Sequence, residues 1–410
     1  MKNILLVEPQ SSGILFIQEA LNCGFHIWVA TADKGERVLD EQINNKLNGK
    51  LICETGSENA ILEKVNEFTK ETNKKFDLII PGFEYYVAIC AKVSKILGLL
   101  SITPENAECC RLKNLMRLRL QEKNVEVPKF YIVPATQYLD TIALNSEFPI
   151  IVKAVNMSGS MHVYKVSSKE ELKEKVLTIR NTNDSDLEVF VAKDVLLEEY
   201  IAGDEFSVEG IIDYYSKRID FWSVTKKILG GKNGFTEVGH IVEMFHVNDR
   251  EKQIFEYCTE IIHALNIPSG PFHAEMRWCS KRNRPILMEI AARLAGDTIP
   301  LLISEARNKS FVKQALLSLL GKEISQPLEW QGTSAVAFLL NAKNLDYSEL
   351  KRKFSKIDWQ CLKQMKWSIP EKYVEFSDFR DRICTAHFFS SNQQLLKNEL
   401  NIFYNLGQNI

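Results

Sequence analysis

The chain has 410 residues, 45% of them hydrophobic and 25% charged, with a net charge of -2 at neutral pH. That length supports about two to three domains, each able to bury a core without metal or disulfide staples. The charge balance excludes the overall basic field that nucleic-acid binding needs, so small-molecule chemistry is favoured and no nucleic-acid partner is expected.

Ile4 to Val7 is a short apolar run ended by Glu8 and Pro9, too short for a signal-peptide core and readable as a buried strand. No stretch approaches the roughly 20 apolar residues of a membrane span. The nine cysteines are an odd number with no C-x-x-C spacing, and Cys109 adjoins Cys110, which argues against a disulfide framework or a zinc site. A cytoplasmic location without a membrane partner is the expectation.

Residues 1-100 alternate apolar runs (Ile4-Val7, Ile27-Ala30, Leu51-Cys53, Leu78-Ile80) with longer amphipathic stretches, the pattern of an open α/β sheet. Ligands of such sheets sit at the carboxyl ends of the strands, which directs attention to Pro9-Gly13 and Pro81-Glu84. A cation-rich helix is expected from about Glu105 to Lys123. The short strands Phe130-Ile132, Ile150-Val155 and Val163-Val166 follow, giving a small α+β lid over 101-194. A mixed α/β core over 195-325 has strands at Val195-Tyr200, Glu205-Ile212, Phe221-Thr225, Phe272-Trp278 and Pro285-Ala292. Residues 326-410 read as a smaller C-terminal subdomain, a tail whose sequence says little.

The sharpest chemical feature is the pair of strands Phe272-Trp278 and Pro285-Arg293 joined by a polar turn. With the turn centred near Arg282, Glu275 faces Glu289 across the ladder, and alternation sets both on one face with Arg293. Facing carboxylates repel. Either both point into solvent, or a divalent cation held by two carboxylates and phosphate oxygens sits between them, with Arg293 in reach of the same phosphate.

Lys153 lies within the apolar run Ile150-Val155, where a buried ammonium needs an anion. The loop after it, Ser158-Gly159-Ser160, is small enough for its N-H groups to approach a phosphate. The alternative is a hairpin whose lysine snorkels from an edge strand. Val195 to Glu209 forms a strand, a glycine-containing bend and a second strand; such backbone can bond a purine edge while Glu205 reaches ribose hydroxyls, or it is an ordinary β-bend.

Taken in order over roughly residues 1-320, these pieces resemble the ATP-grasp superfamily of carboxylate-amine ligases. The resemblance implies an ATP-grasp fold with an N-terminal open α/β domain, a lid, a nucleotide-binding mixed α/β domain and a C-terminal extension. Lys113 and Lys153 match the phosphate-binding lysines, and Ser158, Gly159 and Ser160 the loop over the triphosphate. Glu198, Glu199, Tyr200 and Ile201 match the adenine hinge, and Glu205 the ribose contact. Glu275 and Glu289 match the magnesium glutamates, and Arg293 the arginine that steadies the transferred phosphate, so Arg293 and Lys153 are the catalytic candidates. ATP and Mg2+, with Mn2+ as a substitute, are the implied cofactors. Leu112 and Ala291 depart from the family's aspartate and asparagine, and Ala291 puts a second metal ion in doubt.

Gly234-Val242 and Pro81-Glu84 further resemble segments of the L-amino acid ligases and carnosine-synthase-like enzymes. They imply Glu84 and His240 as amino-acid contacts, dipeptide as product, and the homodimer common among such relatives. His273 joins Glu84 as a candidate for substrate contact and for the base that deprotonates the amine. The competing readings are a ligase acting on a carrier-bound or other metabolic carboxylate, an ATP-binding regulator without turnover, and a nicotinamide oxidoreductase, the last resting only on the α/β opening.

Overall fold

The computed structural model describes residues 1-141, 147-231, 234-245, 247-343, 345-370 and 378-407. Its strands, in chain order, are β1 (Asn3–Val7), β2 (His26–Thr31), β3 (Gly49–Ile52), β4 (Leu78–Pro81), β5 (Phe130–Val133), β6 (Ile150–Ala154), β7 (Val163–Val166), β8 (Ser185–Asp186), β9 (Val189–Phe190) and β10 (Val195–Glu199). They continue with β11 (Glu205–Ile212), β12 (Ile219–Gly230), β13 (Thr236–Val242), β14 (Gly270–Cys279), β15 (Arg284–Ala291), β16 (Thr333–Leu340), β17 (Leu362–Trp367) and β18 (Arg382–Ser390).

The first four strands make a parallel sheet in the order β3-β2-β1-β4. Its strands are apolar on both faces because helices cover both. Ile4, Leu6 and Val29 pack toward the helices Ile299–Ala306 and Phe311–Leu319, and Leu5, Val7 and Ile79 pack with residues of the helices Glu58–Thr72 and Val87–Leu97. The opening domain is thereby fastened to the rest of the chain through a shared core. No helix among the described residues is long and apolar enough to cross a membrane.

Three expectations need correction. The helix read from Glu105 to Lys123 is two helices, Pro104–Cys109 and Lys113–Glu122. The chain breaks between them because Leu112 is extended and the Lys113 N-H turns to the carbonyl of Val155, which places Lys113 at a helix start facing the lid. The lid does not end at residue 194, since β10 lies inside its antiparallel sheet, ordered β5-β10-β6-β7. Residues 326-410 are no separate unit: β16, β18 and β17 extend the central antiparallel sheet, whose order is β15-β14-β11-β12-β13-β16-β18-β17. A common core of Val238, Ile241, Ala335, Phe388 and Phe403 crosses that junction.

Alternation in the central sheet separates packing from chemistry. Phe206 and Val208 of β11, with Phe272, Ala274 and Met276 of β14, face a core shared with the helices Lys113–Glu122 and Asp249–Ala264. The intervening Glu205, Ser207, Glu209, His273, Glu275 and Arg277 therefore face the other way. Because β13 would become an open edge and lose the cover over Val238 and Ile241, a chain ending at Ser325 is expected to aggregate or to lose cooperative thermal unfolding. A soluble fragment with a sharp melt would contradict this continuity.

Candidate active site

A single cavity lies between the opening sheet, the lid sheet and the polar face of the central sheet. Lys113, Lys153, Ser158 to Ser160, Glu198 to Ile201, Glu205, His240, His273, Glu275, Glu289 and Arg293 all line it.

Glu275 does pair with Glu289 across β14 and β15, but not by a simple symmetric hairpin. The ladder beyond the turn pairs Met276 with Leu287, and a bulge at Met288 inserts the extra residue that brings Glu289 opposite Glu275. Leu287 and Ile290 consequently stay in the core while Met288 and Glu289 line the cavity. A second bulge at Val238 in β13 does the same for Glu237 and His240, three apart in sequence yet on one wall.

Buried cations relieve the crowded carboxylates. Lys227 lies 3.0 Å from Glu275, 3.0 Å from Glu205 and 2.5 Å from Glu237. Burial alone would raise the Glu275 pKa, yet Lys227 and the bond from His273 hold it well below the ordinary carboxylate value. Lys113 sits 2.9 Å from Glu289 and donates to the Met157 carbonyl at 2.7 Å, so the helix start, the metal-type glutamate and the lid loop meet at one ammonium.

On the lid side, Glu198 is buried between two cations, 2.5 Å from Lys153 and 2.5 Å from Arg117. One carboxylate cannot neutralise both, and the Lys153 pKa is pulled down by burial and, against the pull of Glu198, by the neighbouring Arg117 and Lys113. The corner carries unmatched positive charge, which suits an anionic ligand such as a polyphosphate. The Glu198 side chain is thus committed to these cations and not open to a base, unlike the hinge backbone beside it. The Glu199 carboxylate accepts from Arg282 with both oxygens at 2.6 Å and from the Lys129 N-H at 3.3 Å. Tyr200 lies under Lys165, and the Ile201 carbonyl accepts from Arg277 at 3.1 Å. Glu205 is held by Lys227 and, at 2.8 Å, by Arg277.

The loop over the cavity is closed down. Ser158 meets the hydroxyl of Tyr85 at 3.0 Å, Ser160 donates to the Phe235 carbonyl at 3.0 Å, and Gly159 has φ +61° with the Phe379 ring where a Cβ would stand. Only glycine fits that close approach at that backbone angle.

Two substrate-side residues sit differently from expectation. Glu84 is 1% exposed and stands behind the cavity wall, where its Oε2 pairs with Arg293; its Oε1 has no hydrogen-bond partner among the described residues. His273 is clamped between Glu209 at 2.9 Å and Glu275 at 3.1 Å. Burial would lower its pKa, but the two carboxylates raise it to about 9, so it is a cation at neutral pH and unsuited to accept a proton. His240 does line the cavity, 2.9 Å from Asp297 and 3.6 Å from Glu237.

Lys227, Arg117, Glu237, Asp297 and Arg382 were not singled out from the sequence. Arg277 was legible in principle, since it continues the His273, Glu275 alternation by one more step. Arg382 had no local signal, because the strand that carries it is distant in sequence from everything it touches.

A raised pKa stabilises the folded chain fully below the unfolded value, and that contribution is lost as pH rises through the folded one. Without divalent cation, the wild-type melting temperature should therefore fall between about pH 7 and 10, as His273 loses its proton near 9, more than that of His273→Gln. Parallel profiles of the two proteins would contradict the clamp.

Residues 146–300 match the family model for the ATP-grasp domain. The chain is 24% identical to dapdiamide A synthase of Enterobacter agglomerans over 292 residues, covering 69% of this chain and 64% of that protein. It is 26% identical to alanine–anticapsin ligase of Bacillus subtilis (strain 168) over 234 residues, 54% of this chain and 49% of that one. It thus spans less than two thirds of the length of these relatives. The structure superposes on the L-amino acid ligase of Bacillus licheniformis with a TM-score of 0.79 at 19% identity, over 100% of this chain and 98% of that one. Residues 146–300 are an ATP-grasp domain, and the chain is built on the ATP-grasp fold.

Proposed function

We propose that the chain is an ATP-dependent carboxylate-amine ligase that joins two L-amino acids into a dipeptide through an acyl phosphate. The observation that carries this reading is the Glu275–Glu289 pair, set face to face on a cavity wall with Arg293 beside it and the unmatched positive corner of Lys153 and Arg117 nearby. Two carboxylates of this kind fit Mg2+, or Mn2+ in its place, which supplies charge neutralisation to phosphate oxygens. The names of the relatives, an L-amino acid ligase, an alanine–anticapsin ligase and a dapdiamide A synthase, support the same substrate class.

In this reading Lys113 and Lys153 hold the phosphates, the Ser158 to Ser160 loop covers them, and the backbone of Glu199 to Ile201 reads the adenine. Lys113 and Lys153 exchange their present carboxylate partners, wholly or in part, for phosphate oxygens. Arg293, steadied from behind by Glu84, faces the transferred phosphoryl group. The carboxylate oxygen takes the γ-phosphoryl group of ATP as the bond from the γ-phosphorus to the bridging oxygen breaks and ADP is left; the neutral amine then attacks the acyl carbon, the bond from carbon to phosphate oxygen breaks, and phosphate leaves. An ammonium substrate gives up two protons in all, one carried off with phosphate as HPO4 2- and one released. The closed loop keeps water from the acyl phosphate.

The test is phosphate release from Mg-ATP with each L-amino acid singly and in pairs, with mass spectrometry of the products. Phosphate matched by a dipeptide mass is expected, and Glu289→Gln should cut the rate by roughly 10²-fold or more while the protein stays folded. ATP turnover without any dipeptide would redirect the reading to another carboxylate or amine. Unchanged turnover in Glu289→Gln would overturn the metal assignment.

A further inference from the structure

The wall of the cavity farthest along the central sheet is built by three separate parts of the chain. Glu237 and His240 come from β13, Asp297 from the loop that follows Arg293, and Arg382 from β18, which lies outside the residues matched to the ATP-grasp domain. Arg382 grips Asp297 with both arms, at 2.6 and 2.9 Å, and bonds the Glu237 carbonyl at 3.0 Å. Its guanidinium lies 3.7 Å from the centre of the Phe338 ring, which fixes the plane of the fork. Asp297 needs such a hold, because its backbone is in the left-handed region at φ +50°.

The charges on this wall do not balance. The carboxylates of Glu205, Glu237, Glu275 and Asp297 are served by the permanent cations Lys227, Arg277 and Arg382; His273 and Glu209 offset one another. Among the described residues, the remaining negative charge is met only if His240 is protonated. A protonated His240 would carry a second N-H at Nδ1, which is buried and has no hydrogen-bond partner among the described residues. The acceptor atoms of Glu237 and Asp297 and a nitrogen of His240 all lie within 4.8 Å of one another, a spacing that one ammonium spans with two hydrogen bonds.

We propose that Arg382 is a positioning residue of the amine pocket: it holds the Asp297 carboxylate beside Glu237, and these two carboxylates receive the ammonium group of an amino-acid substrate. The inference rests on the ligase reading above and adds to it that the C-terminal strand completes the substrate pocket. An ammonium at this corner supplies the missing positive charge and leaves His240 neutral, with no stranded N-H. The segment that carries Arg382 also contacts the lid, through Phe379 against Gly159 and Arg380 paired with Asp184, so one stretch of chain sets both the loop over the cavity and the amine corner.

The experiment is a thermal-shift titration of the full chain with each L-amino acid in the presence of Mg-ADP, for wild type, Arg382→Gln, Arg382→Lys and Asp297→Asn. At least one amino acid should stabilise the wild type, with affinity weakened roughly tenfold or more in Arg382→Gln and Asp297→Asn and partly restored in Arg382→Lys. Mg-ADP should bind all four proteins alike, which a merely structural role for Arg382 would not give. Equal amino-acid affinity in wild type and Arg382→Gln would overturn the proposal, as would the absence of any amino-acid response in a wild type that binds Mg-ADP. A wild type that binds no Mg-ADP would instead overturn the ligase reading itself.

Discussion

Two carboxylates facing one another on a partly buried wall repel, and the rest of the cavity is arranged around that repulsion. Glu275 and Glu289 are brought opposite by a bulge and each is paired with its own lysine, one from a strand of the same sheet and one from the start of a helix. Lys227 also ties Glu205 and Glu237 to Glu275, so the hinge end and the amine end of the cavity share one buried ammonium. Buried ion pairs of this kind are a weak source of stability, since desolvation offsets much of their attraction. Their concentration in one cavity is better understood as preparation for charged ligands.

The two ends of the cavity are charged in opposite senses. Around Glu198 there is one carboxylate for two buried cations. At the other end, among the described residues, the carboxylates of Glu205, Glu237, Glu275 and Asp297 outnumber the permanent cations Lys227, Arg277 and Arg382 by one unless His240 holds a proton. A polyphosphate fits the first end and an ammonium the second, with the Glu275–Glu289 pair and Arg293 between them. The order in which a phosphorylated carboxylate would meet an amine is thus written into the charge along the wall.

Much of the fold was legible because its signals are local. The apolar runs of β1 to β4 and the alternation in β14 and β15 each specify a strand within a few residues, and the pairing of Glu275 with Glu289 followed from counting. The count succeeded for an incomplete reason: the turn lies half a residue earlier than supposed, and the bulge at Met288 makes up the difference. The break at Cys110 to Leu112 was not legible, because the helix-forming residues run through it and the Lys113 N-H finds its partner on Val155, far along the chain. Arg382 and Lys227 were hidden for the same reason, since a charged residue in a strand acquires meaning only when the sheet order sets its neighbours. The tail read as a separate piece because nothing in its composition reveals that β16 pairs with β13.

The most direct test of the central claim is Mn2+ binding, followed by electron paramagnetic resonance with ADP present, in wild type, Glu275→Gln and Glu289→Gln. If the facing carboxylates hold the cation, each single substitution should weaken Mn2+ binding by roughly tenfold to a hundredfold while ADP still binds. Equal Mn2+ affinity in all three proteins would contradict the account, because the two carboxylates would then face each other for some reason other than a metal.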